Sequence, residues 1–158
     1  MNEKCVFAGT FDPPTLGHKA VVEDALKLFQ EVVVAVLVNP QKQPLFSVEE
    51  RKEMLRLDLP QKGVKIVEFE GTVAELMRRE GAEFYVRGIR NTVDFEFEQA
   101  NYFASQKIDK NVKAVYIPCK QELLHVSSSM ARNCLAFGAD LSDYVSEEVK
   151  AYIKAKKK

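Results

Sequence analysis

Short apolar runs rich in β-branched residues alternate along the chain with segments whose apolar positions recur every three or four residues. Lys4 to Ala8, Glu31 to Val38, Val64 to Phe69, Glu83 to Val86 and Lys113 to Ile117 read as five strands. Nearly all are apolar on both faces, the pattern of a parallel sheet covered on both sides. The intervening segments supply the covers. Val21, Ala25, Leu28 and Phe29 share one helical face. Ser47 with Glu50 is a capping box that opens a helix through about Leu57, and Thr72 with Glu75 opens another that Gly81 can close. Val93 to Lys107 reads as a fourth helix although VDFEFE alternates with period two, and its Phe95, Phe97, Tyr102 and Phe103 are assigned to the core. Ser127 to Phe137 with Gly138 beyond makes a fifth, and a terminal helix covers about 146–158. The expected fold is α/β, a single doubly wound, Rossmann-like domain over 1–158 with a five-stranded parallel sheet.

Composition narrows the function. At 158 residues and 46 % hydrophobic, the chain can bury a core without disulfides or structural metals. Lys plus Arg number 23 and Asp plus Glu also 23, so no overall field draws nucleic acid or an anionic membrane, and neither is expected as a partner. Any anion chemistry must come from locally placed charges. Cys5, Cys119 and Cys134 are odd in number, far apart and outside any CxxC pair, as free thiols of a reducing compartment would be. MNEKCVFAG turns polar too soon for a signal-peptide core, and no stretch reaches the ~18 to 20 apolar residues of a membrane span. A soluble cytoplasmic protein is expected. The KAKKK end reads as a solvated helix terminus beside the negative end of the helix dipole.

Ligands of open parallel sheets bind beyond the carboxyl ends of the strands, and the residues there are unlike ordinary turns. The first strand is followed by Thr10, Asp12, Gly17 and His18, the second by Asn39 and Lys42, and the third by Gly71, Thr72 and Val73. The fourth is followed by RGIR with Arg87 and Arg90, and the fifth by HVSSSMAR from His125 to Arg132. Each has an ordinary explanation alone. Taken singly, His18 reads as a solvated or capping histidine, Lys42 as a solvated loop residue, Arg87 and Arg90 as ion-pair partners of Asp94 or Glu96, and Ser127, Ser128 and Ser129 as helix caps. Their joint placement on one rim is what those explanations do not predict. Serines at a helix N-terminus and arginine forks both suit phosphate oxygens, so the ligand class is a polyphosphate. Neither GxxxxGK[ST] nor GxGxxG is present, which excludes the P-loop and the common dinucleotide fingerprint.

The stretch G-T-F-D-P-x-T-x-G-H from Gly9 to His18, then Lys42, RGIR with DFEFE after it, and VSSSMAR resemble, in that order, the nucleotidyltransferase superfamily marked by a T/HxGH motif. Over essentially the whole chain the resemblance is to its phosphopantetheine adenylyltransferase family. It implies reversible transfer of the adenylyl group of ATP to 4'-phosphopantetheine, giving dephospho-coenzyme A and pyrophosphate. The transfer it implies is a direct in-line displacement with no covalent intermediate. It implies His18 as transition-state stabiliser, with Thr10, Lys42 and Arg90 also catalytic. Thr10, Lys42, Val73 and Arg87 match acceptor-binding positions. Thr10, Phe11, His18, Gly88, Ile89, Arg90, Glu98 and Leu123, Leu124, His125, Val126, Ser127, Ser128 and Ser129 match ATP-binding positions. Mg²⁺ held mainly by phosphates and water, a homohexamer, and coenzyme A as feedback inhibitor are further implications. His125 stands where a larger aromatic is common, and Cys119 where a small hydroxyl residue is common. Two other readings remain open on the residues alone. One is an adenylyl- or cytidylyltransferase with another acceptor or base; the other is a nucleotide sensor without turnover.

Overall fold

The computed structural model describes residues 4–60 and 62–156. Strands and helices alternate as β1 (Lys4–Gly9), α1 (Leu16–Ala25), β2 (Glu31–Leu37), α2 (Val48–Asp58), β3 (Val64–Phe69), α3 (Val73–Glu80), β4 (Phe84–Ile89), α4 (Thr92–Ile108) and β5 (Lys113–Pro118). One 3-10 turn (Gln121–Leu123) then leads into α5 (Ser128–Phe137) and α6 (Glu147–Lys156). The sheet is parallel throughout, in the order β3-β2-β1-β4-β5. Of the expected terminal helix, positions 157 and 158 lie outside the described residues.

The valine run of β2 explains the centre of the molecule. Val32 and Val34 point into one core with Phe7, Val22 and Leu55, while Val33 points into another with Val6, Leu76 and Met77. Successive side chains of a strand face opposite ways, so a run without polar residues requires cover on both faces. Each fully buried valine contributes roughly 1.5–3 kcal/mol relative to exposure. The edge strands depart from the expectation of two apolar faces: β3 and β5 are mostly only half-buried, and Lys65, Glu68 and Lys113 are exposed.

The Ser47/Glu50 and Thr72/Glu75 capping boxes are both formed, and Ser127 caps α5 through Met130 N. Three expectations fail. Helix α1 stops at Ala25, so Leu28 lies beyond it and is exposed, whereas Phe29 remains buried. β4 continues through Ile89, because Arg87, Gly88 and Ile89 pair with Tyr116, Ile117 and Pro118 of β5; these three belong to the strand and not to the turn after it. The aromatic group of α4 divides: Tyr102 packs against the core, whereas Phe95, Phe97 and Phe103 are exposed, Phe95 keeping an edge-on contact with Tyr116 of β5 at 5.6 Å between centroids.

A candidate active site where two strands part

β1 and β4 pair only at Cys5↔Phe84 and Val6↔Tyr85, although β1 runs on to Gly9 and β4 to Ile89. Beyond Val6 and Tyr85 lies a cleft of about 300 Å³, walled by the β1 turn, the start of α1, the end of β4, the first turns of α4 and the start of α5. This is where the strand order reverses direction, the switch point at which open α/β sheets take ligands. The Arg87 side chain spans the parting: its Nη1 donates to the Ala8 carbonyl at 2.6 Å, and Nη2 lies 3.0 Å from Glu98 Oε1. Its buried Nε–H has no partner among the described residues.

Arg90, one residue past β4, donates from Nε and from its backbone N to Asp94 Oδ2, both at 3.0 Å, and from Nη1 to Val126 O at 3.4 Å. Burial opposes ionisation of Asp94, yet the hydrogen bonds from Arg90 and the charges of Arg90 and Arg87 hold its carboxyl below the usual range.

His18 occupies the third position of α1 and closes a reciprocal cap with Thr15, a histidine doing what Glu or Gln does in the other two boxes. Thr15 N–H donates to His18 Nδ1 at 3.0 Å, and the Thr15 hydroxyl lies 3.2 Å from the same nitrogen. Since Nδ1 accepts, the neutral ring carries its proton on Nε2. Burial first, then the charges of Arg87 and Arg90, lower the pKa of His18 to about 4, so the imidazole is neutral at physiological pH. Its ring stands edge-on to Phe11 with centroids 4.8 Å apart. Phe11 has φ 53°, a left-handed conformation unusual for a side chain of that size, and is 1 % exposed. The conformation turns the chain while burying the ring beneath the histidine.

Four side chains lock this turn from behind. Asp12 accepts from Leu45 N at 2.8 Å and Phe46 N at 2.9 Å, joining the first connection to the second. Arg51, 2 % exposed, donates from Nη1 to Thr10 O at 2.8 Å and from Nε to Phe46 O at 3.1 Å. Arg132 Nη1 holds Asp12 O, and Ser128 Oγ holds Pro13 O, both at 2.8 Å. A Cβ at Gly17 would meet protein atoms only at ordinary distances, 3.5 Å or more, so packing does not demand glycine there and the space it leaves belongs to the cleft.

The chain matches the Cytidylyltransferase-like family over residues 6–134. The phosphopantetheine adenylyltransferase of Heliobacterium modesticaldum is 38 % identical to it over 147 residues, covering 92 % of this chain and 88 % of that one. The corresponding protein of Symbiobacterium thermophilum is 41 % identical over 138 residues, covering 85 % and 84 %. The chain belongs to the phosphopantetheine adenylyltransferase family. Among solved structures, the Plasmodium falciparum nicotinic acid mononucleotide adenylyltransferase complexed with NaAD superposes with a TM-score of 0.73 over 99 % of this chain and 96 % of that one. At 18 % identity that likeness is one of fold.

Of the family positions carried over by resemblance, Thr10, Phe11, His18, Arg87, Gly88, Arg90, Glu98, Leu123, Val126, Ser127 and Ser128 line the cleft. The remaining six do not. Lys42 lies on an exposed loop, Val73 packs against the core under α3, and Ile89 is taken up in pairing with Pro118. Leu124 and Ser129 are exposed, and His125 turns away, its Nε2 3.2 Å from Asp143 O and its ring against Tyr144. Glu96 is exposed and pairs with neither arginine; Arg87 takes Glu98 instead. Cys119 also lines the cleft, and burial pushes its thiol above its ordinary pKa. Sequence reasoning missed Arg51 and Asp94 as site residues. An arginine in the second turn of a capped helix looks solvated, and nothing local marks it as the donor to Thr10.

Proposed function

We propose that this protein transfers the adenylyl group of ATP to 4'-phosphopantetheine in the cytoplasm, yielding dephospho-coenzyme A and pyrophosphate. The observation that carries the reaction type is the meeting of Arg87, Arg90 and the His18 imidazole at the parting of β1 and β4, beside the N-terminus of α5. The acceptor is supported by the relatives at 38 % and 41 % identity.

Attack of a phosphate oxygen on the α-phosphorus gathers negative charge on nonbridging oxygens. His18 Nε2–H is a neutral donor with its tautomer set by Thr15, and it stabilises that charge. Arg90 and the Ser127–Ser128 end of α5 hold the ATP phosphates. Arg87, on the cleft wall, takes the acceptor phosphate together with Thr10. The acceptor is already an anion, so no general base is required, and positioning supplies the rate. Lys42 reaches the phosphates only if its loop folds inward, and its role belongs to the closed complex.

Magnesium is part of the same reading. Among the described residues no three His, Cys, Asp or Glu side chains cluster to hold a metal, and Asp94 and Glu98 are engaged by arginines. The ion is therefore assigned to the phosphates of ATP and water, where it neutralises charge when bound. The homohexamer is what the family resemblance implies, and the exposed apolar face of α4, where Val93 is 71 % and Phe97 65 % exposed, is a surface suited to a subunit contact. Inhibition by coenzyme A would follow from its sharing both halves of the substrates. No helix among the described residues is long and apolar enough to cross a membrane.

The test is pyrophosphate release from ATP with 4'-phosphopantetheine, beside nicotinate mononucleotide and a no-acceptor control. Release with phosphopantetheine alone is expected. Release with the nucleotide alone overturns the acceptor, and none at all favours a sensor. Replacing His18 with Ala should lower turnover about 100-fold or more with ATP affinity within a few-fold, since its donation strengthens in the transition state.

A further inference from the structure

Asp12 sits in the turn after β1, yet its side chain leaves that turn. An aspartate in a connection commonly accepts from the backbone two residues on and so closes its own bend. Here Oδ2 accepts from Leu45 N at 2.8 Å and Oδ1 from Phe46 N at 2.9 Å, 33 and 34 residues along the chain. Asp12 is 4 % exposed, and both of its oxygens are spent on the second connection.

Those two N–H groups form one foot of the loop that carries Lys42. Asn39 to Leu45 are all exposed, and Phe46 is buried. At the other foot, Val38 N donates to Phe69 O at 2.9 Å. Asn39 then closes a turn of its own, its Oδ1 accepting from Gln41 N and its carbonyl from Lys42 N. Gln43 and Pro44 span the distance from that turn to the clamped foot. Phe46 is gripped through its carbonyl as well, since Arg51 Nε donates to it at 3.1 Å while Nη1 of the same arginine holds Thr10 O. The point from which Lys42 swings is therefore fastened to the turn that bears Thr10.

We propose that Asp12 is a positioning residue for Lys42: it sets the foot of the Lys42 loop against the β1 turn, so that inward folding of the loop delivers the ammonium to phosphates held at that turn. This rests on the part given to Lys42 in the function proposed above. A carboxylate that only fastened the turn would act on Thr10, His18 and ATP alike. Its loss would then lower turnover by the same factor whether or not Lys42 is present.

The test is a double-mutant cycle in kcat with ATP and 4'-phosphopantetheine on wild type, Asp12→Asn, Lys42→Ala and the double variant, each checked by thermal melting. Asp12→Asn keeps the shape but turns an N–H donor toward one of the two backbone N–H groups. It should lower kcat about 30-fold when Lys42 is present and no more than about threefold in Lys42→Ala. Leu45→Pro deletes one of the two donors at an exposed position, and it replaces Asp12→Asn in the cycle if that variant fails to fold; about a fivefold loss, again confined to the Lys42 background, is expected. Equal factors in both backgrounds overturn the proposal, and so does an unaltered kcat in Lys42→Ala. Should wild type not use phosphopantetheine, the proposed function fails, and backbone amide relaxation by NMR still judges Asp12. In Asp12→Asn the amides of Gln41 and Lys42 should become mobile while those of Thr10 and His18 stay as ordered as in wild type; an unchanged loop, or a turn loosened as much as the loop, sinks the proposal.

Discussion

A β-carbon built on Gly88 would lie 2.8 Å from Val21 Cγ2, so β4 and α1 touch where not even a methyl group fits. Val21 is one turn along α1 from His18, which makes this contact the spacer between the histidine and the strand carrying Arg87. Gly88 is therefore required by packing, whatever it offers a nucleotide. Gly88→Ala should cost about 1–3 kcal/mol in urea denaturation, since β-branched Val21 is stiff at χ1 on a helix and gives way only at a cost. Adding Val21→Ala should recover part of that loss, and a double-mutant cycle with no coupling would count against the contact.

The His18 ring should titrate near pH 4 by NMR, with its proton on Nε2 above that. The sign for stability follows. A folded pKa below the unfolded value of 6.5 means the unfolded chain takes up the proton first. Stability is complete above about pH 6.5 and declines as the pH falls toward 4. His18→Gln should flatten that decline between pH 7 and pH 5, and Arg87→Ala should move the ring's midpoint upward by removing a positive neighbour.

Arg51 is a buried cation whose Nε and Nη1 donate to carbonyls of Thr10, Phe46 and Ser47. Arg51→Met should cost about 2–3 kcal/mol by leaving those acceptors unpaired. Catalysis should fall as well, because the Thr10 carbonyl loses the donor that holds it. Chemical denaturation and pyrophosphate release on the same preparation separate the two effects.

If α4 is a subunit contact, Phe97→Ser with Phe103→Ser should shift sedimentation to smaller species without lowering helix content. An unchanged sedimentation profile would place the interface elsewhere.

The parallel sheet and the helix starts were legible because they are written locally. The valines of β2 declare a doubly covered strand, and Ser47–Glu50 and Thr72–Glu75 fit within four residues. What escaped depends on distant partners. β4 runs through Arg87, Gly88 and Ile89 only because β5 pairs with them, and an arginine-glycine pair looks like a turn until its neighbour is known. The Phe97 and Phe103 positions announce apolar burial but not against which surface, and their own fold leaves them more than half exposed. Thr15–His18 was in view as a motif and capping as one role for His18; that one imidazole does both, its Nδ1 taken by Thr15 N–H while the ring lines the cleft, depends on the fold. Lys42 shows the opposite limit, a motif position that the chain alone leaves outside the cleft.

The two-residue seam between β1 and β4 sets the depth of the cleft. Had pairing continued by one residue on each strand, its floor would rise by about 3.3 Å, the length of one strand step. The site is thus an incompletely zipped sheet. Its depth can be retuned by side chains that open or close one rung, with the turns and helices around it left as they are.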